Sequence, residues 1–122
     1  MPRVLAFGTF DLFHPGHEFF LAQAAALGEL HVAVARDAHV LALKGRAPQR
    51  GEAQRLATVR RVPNVAEARL SDETLGSYAV VDAVRPDVIA LGFDQAGLAA
   101  DLARWMEETG RPVRVAVMRA KA

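Results

Sequence analysis

The stretch VLAFGTFDLFHPGHEFFLAQAAALG, running from Val4 to Gly28, decides the fold. Val4 to Phe7 is an unbroken apolar run that reads as a buried strand, and Gly8 bounds it. Pro15 to Leu27 reads as a helix. Pro15 suits its first turn, where the missing N–H costs nothing, and Gly28 is the stop signal.

The same alternation runs to the end of the chain. A second strand is expected at Leu30 to Ala35, followed by a helical turn from Ala38 to Leu43. Gly45 to Gly51 (GRAPQRG) is the most loop-like segment. Glu52 to Val62 reads as a helix closed by Pro63, and Ala66 to Leu70 as a short edge strand. Ser77 to Val84 is helical and stops ahead of Arg85-Pro86, as the residue before a proline should. Val88 to Leu91 is the third clear strand, ended by Gly92. A helix from Ala96 to Thr109 precedes Gly110, and Val113 to Val117 is the last strand. Within that helix Leu98, Leu102, Trp105 and Met106 follow core spacing. Phe13, Phe19 and Phe20 are further core candidates, His31 and His39 read as structural or surface residues, and Tyr78 carries no signal of its own. Strands alternating with helices imply βαβ units, and right-handed crossovers then favour an α/β fold with a Rossmann-like, doubly wound five-stranded parallel sheet covered by helices on both faces. With no repeat, linker or low-complexity region, residues 1–122 are expected to form one domain.

The bulk composition narrows the function classes. The chain has 122 residues, 52% of them hydrophobic, which suffices for a core. Net charge is +1 and the basic residues are scattered, so no nucleic-acid partner is implied. Without cysteine there are no disulfides and no thiolate metal sites. No window reads as a secretory signal or a membrane span, so a cytoplasmic location with no membrane partner is expected. Arginine supplies nearly all the positive charge, which makes Lys44 stand out.

In an open α/β sheet, ligands bind outside the carboxyl ends of the strands, where strand order reverses. Three segments follow strand ends: Gly8 to His17, Arg36 to Arg46, and Gly92-Phe93-Asp94-Gln95. In the first, Gly8 lets the backbone turn tightly and a ligand approach. The free N–H groups at the helix start, with the positive end of its dipole, form a phosphate cradle. His14 and His17, three apart, can aim both imidazoles at one phosphate and stabilise charge developing on it. The HxxH spacing could also chelate a metal, but it lacks a third ligand beyond Asp11, so no protein-built metal site is expected. Asp11 either caps the helix or belongs to the site.

The pattern strand, GTFD, HPGH, helix resembles the HxGH signature of the nucleotidyltransferase superfamily, which includes glycerol-3-phosphate cytidylyltransferases, phosphopantetheine adenylyltransferases and archaeal FAD synthetases. Ala35-Arg36-Asp37, Lys44-Gly45-Arg46 and Gln54-Arg55 resemble its cytidylyltransferase-like branch. Leu91-Gly92-Phe93-Asp94-Gln95 resembles that branch's LGxD segment, and looks closest to the archaeal FAD synthetases. The resemblance spans Arg3 to Arg119. It implies direct in-line attack of an acceptor phosphate on the α-phosphorus of an NTP, ATP or CTP, with release of pyrophosphate and no covalent enzyme intermediate. By that resemblance His14, His17 and Lys44 are catalytic. Gly8, Thr9, Phe10, Pro15, Gly16, Asp94 and Arg119 join the histidines around the nucleotide. Asp11, Lys44, Arg46 and Arg55 hold the acceptor or the phosphates, although Arg55 could instead pair with Glu52 on a helix surface. Mg²⁺ is expected, bridging phosphate oxygens and keeping several waters, and a homodimer is expected by similarity.

Adenylyl transfer to FMN is the first expectation, and cytidylyl transfer to glycerol 3-phosphate or a related alcohol phosphate the alternative. The family pattern usually continues past the last strand into a hydroxyl-rich turn that opens another helix over the triphosphate. No such motif follows Arg119 here. Binding without it, its supply by a partner chain, and a non-catalytic nucleotide-binding module are the three readings this departure leaves.

Overall fold

The computed structural model describes residues 1–121. Its elements are β1 (Arg3–Gly8), α1 (Pro15–Ala25), β2 (Glu29–Val34), α2 (Asp37–Lys44), α3 (Glu52–Arg60), β3 (Glu67–Leu70), α4 (Ala79–Val84), β4 (Val88–Leu91), α5 (Ala96–Thr109) and β5 (Arg114–Val117). The strands form one parallel sheet in the order β3-β2-β1-β4-β5, with β1 registered on β2 from Arg3 opposite Glu29 to Gly8 opposite Val34. This is the doubly wound five-stranded sheet that the alternation predicts.

Successive side chains of a strand point to opposite faces, so a strand covered on both sides reads as continuously apolar. In β1, Val4 and Ala6 pack with Leu21 and Ala24 of α1 and Val59 of α3. Leu5 and Phe7 pack on the other face with Val80, Val81 and Val84 of α4 and Leu102 of α5. Leu98, Trp105 and Met106 lie against this second cluster, as their helical spacing predicts.

The element ends differ from the sequence reading for local reasons. Helix α1 ends at Ala25 instead of Leu27, because Leu27 and Gly28 donate to Ala24 O and Ala25 O and tighten the chain into β2. Helix α3 ends at Arg60 instead of Val62, again through short-range bonds, from Arg61 N to Thr58 O and from Val62 N to Val59 O. Helix α4 starts at Ala79 rather than Ser77. Tyr78 before it is left-handed (φ 50°), and the Asp72 carboxylate accepts the N–H of Val80, satisfying a donor of the first turn. The segment from Ser71 to Tyr78 also follows a strand end. It is a fourth polar segment on the carboxyl edge of the sheet, beyond the three read from the sequence.

Candidate active site

Strands β1 and β4 are neighbours, yet the chain proceeds from β1 toward β2 and from β4 toward β5. A cavity of about 710 Å³ opens at the carboxyl ends of this divergence. Gly8, Thr9, Phe10 and Asp11 line it from the loop after β1, and His14, Gly16 and His17 from the start of α1. Lys44 joins from α2, Asp94 from the turn after β4, and Arg119 from the segment after β5. The fold therefore brings together residues as far apart in the chain as Gly8 and Arg119.

The loop after β1 carries backbone strain. Phe10 (φ 55°) and Leu12 (φ 49°) are both left-handed, which costs a non-glycine residue about 1–3 kcal/mol and persists only where packing enforces it. The ring of Phe10 is buried in the core with Leu21 and Ala24 of α1, whereas Leu12 is exposed. A Cβ on Gly8 would lie 2.6 Å from that ring. Gly8 is thus a glycine to admit the Phe10 ring, a steric reason different from the ligand approach expected of it.

His14 is the N-cap of α1, in an extended conformation, and Pro15 opens the first turn. The Nδ1 of His14 accepts from Gly16 N (3.0 Å), and the Nδ1 of His17 accepts from His14 N (3.3 Å). Together they form a reciprocal capping box built from two imidazoles. The rings stack at 3.8 Å between centroids and 23° between planes. Because each Nδ1 is an acceptor, each neutral ring carries its proton on Nε2, and two Nε2–H donors are left for the cavity. A Cβ on Gly16 would stand 2.8 Å from Cε1 of His14, so only glycine preserves the cap. Burial first, and then the neighbouring His14, lower the pKa of His17 to about 4; the charges of Asp94, Asp11 and Lys44 also act on it. The ring is neutral at neutral pH.

Asp11 is not the cap. Its carboxylate accepts from Gln49 N (2.8 Å) and Arg50 N (2.9 Å), fastening the 45–51 loop to the loop after β1. These backbone donors, Gln49 first, hold its carboxyl below the usual range. Arg55 corrects the sequence reading more sharply. It is 1% exposed and does not line the cavity. Its Nε donates to Arg50 O (2.9 Å), its Nη1 to Thr9 O (2.9 Å) and Ala35 O (2.8 Å), and its Nη2 to Asp37 (2.7 Å). Its Nε, Nη1 and Nη2 all donate to protein acceptors, so it ties three loops together and does not reach a ligand in the cavity; Glu52 is not its partner. Arg46 is exposed in the loop beyond Gly45 and off the cavity lining. Pro15 contributes helix geometry and does not line the cavity.

Several residues at or beside the cavity make contacts that the sequence reading does not assign to them. His39, expected to be structural or surface, lines the cavity and bonds Glu73 O through Nε2 (2.9 Å). Arg36 reaches Ser71 O (2.8 Å). These two contacts hold the 71–78 segment against α2. Tyr78 donates to the Asp101 carboxylate and packs edge-on to Phe7 at 6.3 Å. Burial and that carboxylate push its phenol upward. Gln95 accepts from Gly92 N (2.7 Å) and donates to Phe7 O (2.9 Å), tying the ends of β1 and β4. The rule that ligands bind past strand ends, applied to the edge strand at Ala66 to Leu70, would have found the 71–78 segment. Gln95 lies in the segment after β4 that the sequence reading singles out, but its bond to Phe7 O could not be read there. Among the described residues no group of three or more His, Asp or Glu side chains converges as a metal site. No helix among them is long and apolar enough to cross a membrane.

The helix start and two imidazole donors thus stand at the switch point of a doubly wound sheet, the place where such sheets take phosphate-bearing ligands. The chain belongs to the cytidylyltransferase-like family, whose model matches residues 5–121. It is 45% identical over 116 residues to the FAD synthase of Methanosarcina barkeri (strain Fusaro / DSM 804), a match covering 94% of this chain and 81% of that protein. To the FAD synthase of Methanobrevibacter smithii it is 39% identical over 119 residues, covering 94% and 77% of the two chains. The crystal structure of the lipopolysaccharide core biosynthesis protein from Thermoplasma volcanium GSS1 superposes with a TM-score of 0.85 at 37% identity, over 99% of this chain and 97% of that one. The chain is a nucleotidyltransferase enzyme, which sets aside the reading of a non-catalytic nucleotide-binding module.

Proposed function

We propose that this enzyme transfers the adenylyl group of ATP to the phosphate of FMN, forming FAD and releasing pyrophosphate. The observation that carries the choice of substrates is the 45% identity to an FAD synthase across 94% of the chain. The cavity agrees in kind. It lies within the range of small-molecule sites, and Phe20, Val40, Leu43, Leu75, Phe93 and Leu98 give it apolar walls suited to a flat ring.

In this reading Mg²⁺ would accompany ATP and would offset charge on its phosphates. The triphosphate meets the N-terminus of α1, where Nε2–H of His14 and of His17 donate to the phosphate under attack. An oxygen of the FMN phosphate bonds to the α-phosphorus as the bond from α-phosphorus to the β-bridging oxygen breaks, and pyrophosphate leaves with that electron pair. The neutral state of His17 lets it donate without carrying a charge of its own into the ground state. Lys44 and Arg119 supply the fixed positive charge around the phosphates, and Asp94 meets the nucleoside. The work is positioning and charge stabilisation, with no covalent enzyme intermediate. A homodimer belongs to this proposal by similarity, and a cytoplasmic location by the sequence reading.

Pyrophosphate release tests it, with ATP and CTP crossed against FMN, glycerol 3-phosphate, phosphocholine and phosphopantetheine. FAD and pyrophosphate should form together from ATP and FMN. Release with CTP and glycerol 3-phosphate instead would overturn the choice of substrates while keeping the class of reaction. His14→Ala and His17→Ala should each lower kcat by about 10²–10³, the cost of losing one preorganised donor.

A further inference from the structure

After β5 the chain is joined to β4 once more, through Met118 N to Leu91 O (2.7 Å), and then leaves the sheet. The next residue is held by α1. The Oε1 of Gln23 accepts from Arg119 N (2.9 Å), and the Nε2 of Gln23 donates to Arg119 O (3.0 Å). A single side-chain amide thus pairs with both polar groups of one residue, 96 positions away, as a neighbouring strand would. Among the described residues no other hydrogen bond holds residues 119–121, all of which line the cavity. Gln23 itself does not line the cavity.

We propose that Gln23 is a positioning residue of the transfer site, fixing the backbone of Arg119 so that this cation stays at the cavity where the triphosphate binds. Loss of the amide removes both bonds that fix the Arg119 backbone, and Arg119 must then be ordered by the nucleotide at an entropic cost. Only an amide of this length can both accept and donate. A carboxylate at the same place keeps the acceptor but meets Arg119 O with a lone pair, and a leucine keeps the bulk and the helix propensity while removing both bonds. The inference rests on the reading that Arg119 meets the nucleotide, which its own variant tests separately.

The experiment is calorimetric titration of MgATP into the wild type, Arg119→Ala, Gln23→Leu and the double variant, with melting temperatures recorded alongside. Arg119→Ala and Gln23→Leu should each weaken MgATP binding by about tenfold, and the double variant should be no weaker than Arg119→Ala alone, because Gln23 acts through Arg119. Multiplied losses in the double variant would overturn the proposal, since a general structural role adds independently. Normal affinity of Gln23→Leu beside a weakened Arg119→Ala would overturn it while sparing the role of Arg119. Normal affinity of Arg119→Ala would remove that role and the proposal with it. A wild type that binds no MgATP would overturn the adenylyl-transfer reading itself.

Discussion

His17 sits where burial and a stacked partner act together, and its folded pKa of about 4 has a consequence for stability. In the unfolded chain a histidine titrates near 6.5, so between that pH and about 4 the unfolded state takes up a proton that the folded state refuses. The stability associated with neutral His17 is therefore complete above 6.5 and is lost as pH falls toward 4. Asp11 and Glu67 also have lowered pKa values, but carboxylates act at lower pH, from about their ordinary values downward. Melting temperatures measured from pH 7 to pH 4.5 should fall more steeply for the wild type than for His17→Gln. Parallel slopes would mean that the ring titrates normally in the folded protein. Protonating His17 would also strip Nδ1 of its lone pair and break the reciprocal cap, so the acid loss should begin at the start of α1.

At the scale of elements, the buried guanidinium of Arg55 is what makes the loops one structure. It reaches from α3 to the carbonyls after β1 and β2 and to the loop that precedes its own helix. The Asp37 carboxylate at its far end opens α2, whose first N–H is in turn accepted by Glu52 (2.8 Å). Arg55→Met fills similar volume but orphans three carbonyls, each a group that costs about 1–3 kcal/mol when left unpaired in the interior. A loss of roughly 3–5 kcal/mol in urea unfolding is expected, with transfer activity falling as the loop after β1 loosens. Arg55→Lys should recover little of it, because an ammonium lacks the planar fork that serves several carbonyls at once. A loss below about 1 kcal/mol would show that the loops hold their places without this hub.

Across the whole molecule, stability and function lie at different places on the same sheet. The central strands β1, β2 and β4 are buried on both faces, whereas β5 is an edge strand with Val115 and Val117 exposed. Amide exchange should be slowest in Val4 to Phe7 and Val88 to Leu91, and fast at Arg46 and Ala47 and along the open side of β5. Adding MgATP should slow exchange selectively at the carboxyl edge, from Gly8 to His17 and from Gly92 to Gln95. Uniform slowing over the sheet would indicate global stabilisation by ligand linkage without a site at the switch point.

The alternation of apolar runs with helical patterns determines the fold from sequence alone, because a parallel strand covered on both faces can only be built from continuous apolar residues. HPGH was legible for a similar reason: proline, glycine and two histidines perform their roles within one helical turn, and local geometry is written locally. What needed the tertiary structure were the long-range polar contacts. Arg55 reads as a surface cation until Thr9, Ala35 and Asp37 are seen converging on it. Gln23 looks like any helix glutamine, and Gln95 like one more polar residue after β4, until the backbone of Arg119 and the ends of β1 and β4 are brought within 3.0 Å of their amides. A hydrogen bond is specified by where two groups end up in space, and for partners as much as 96 positions apart only the packed sheet decides that.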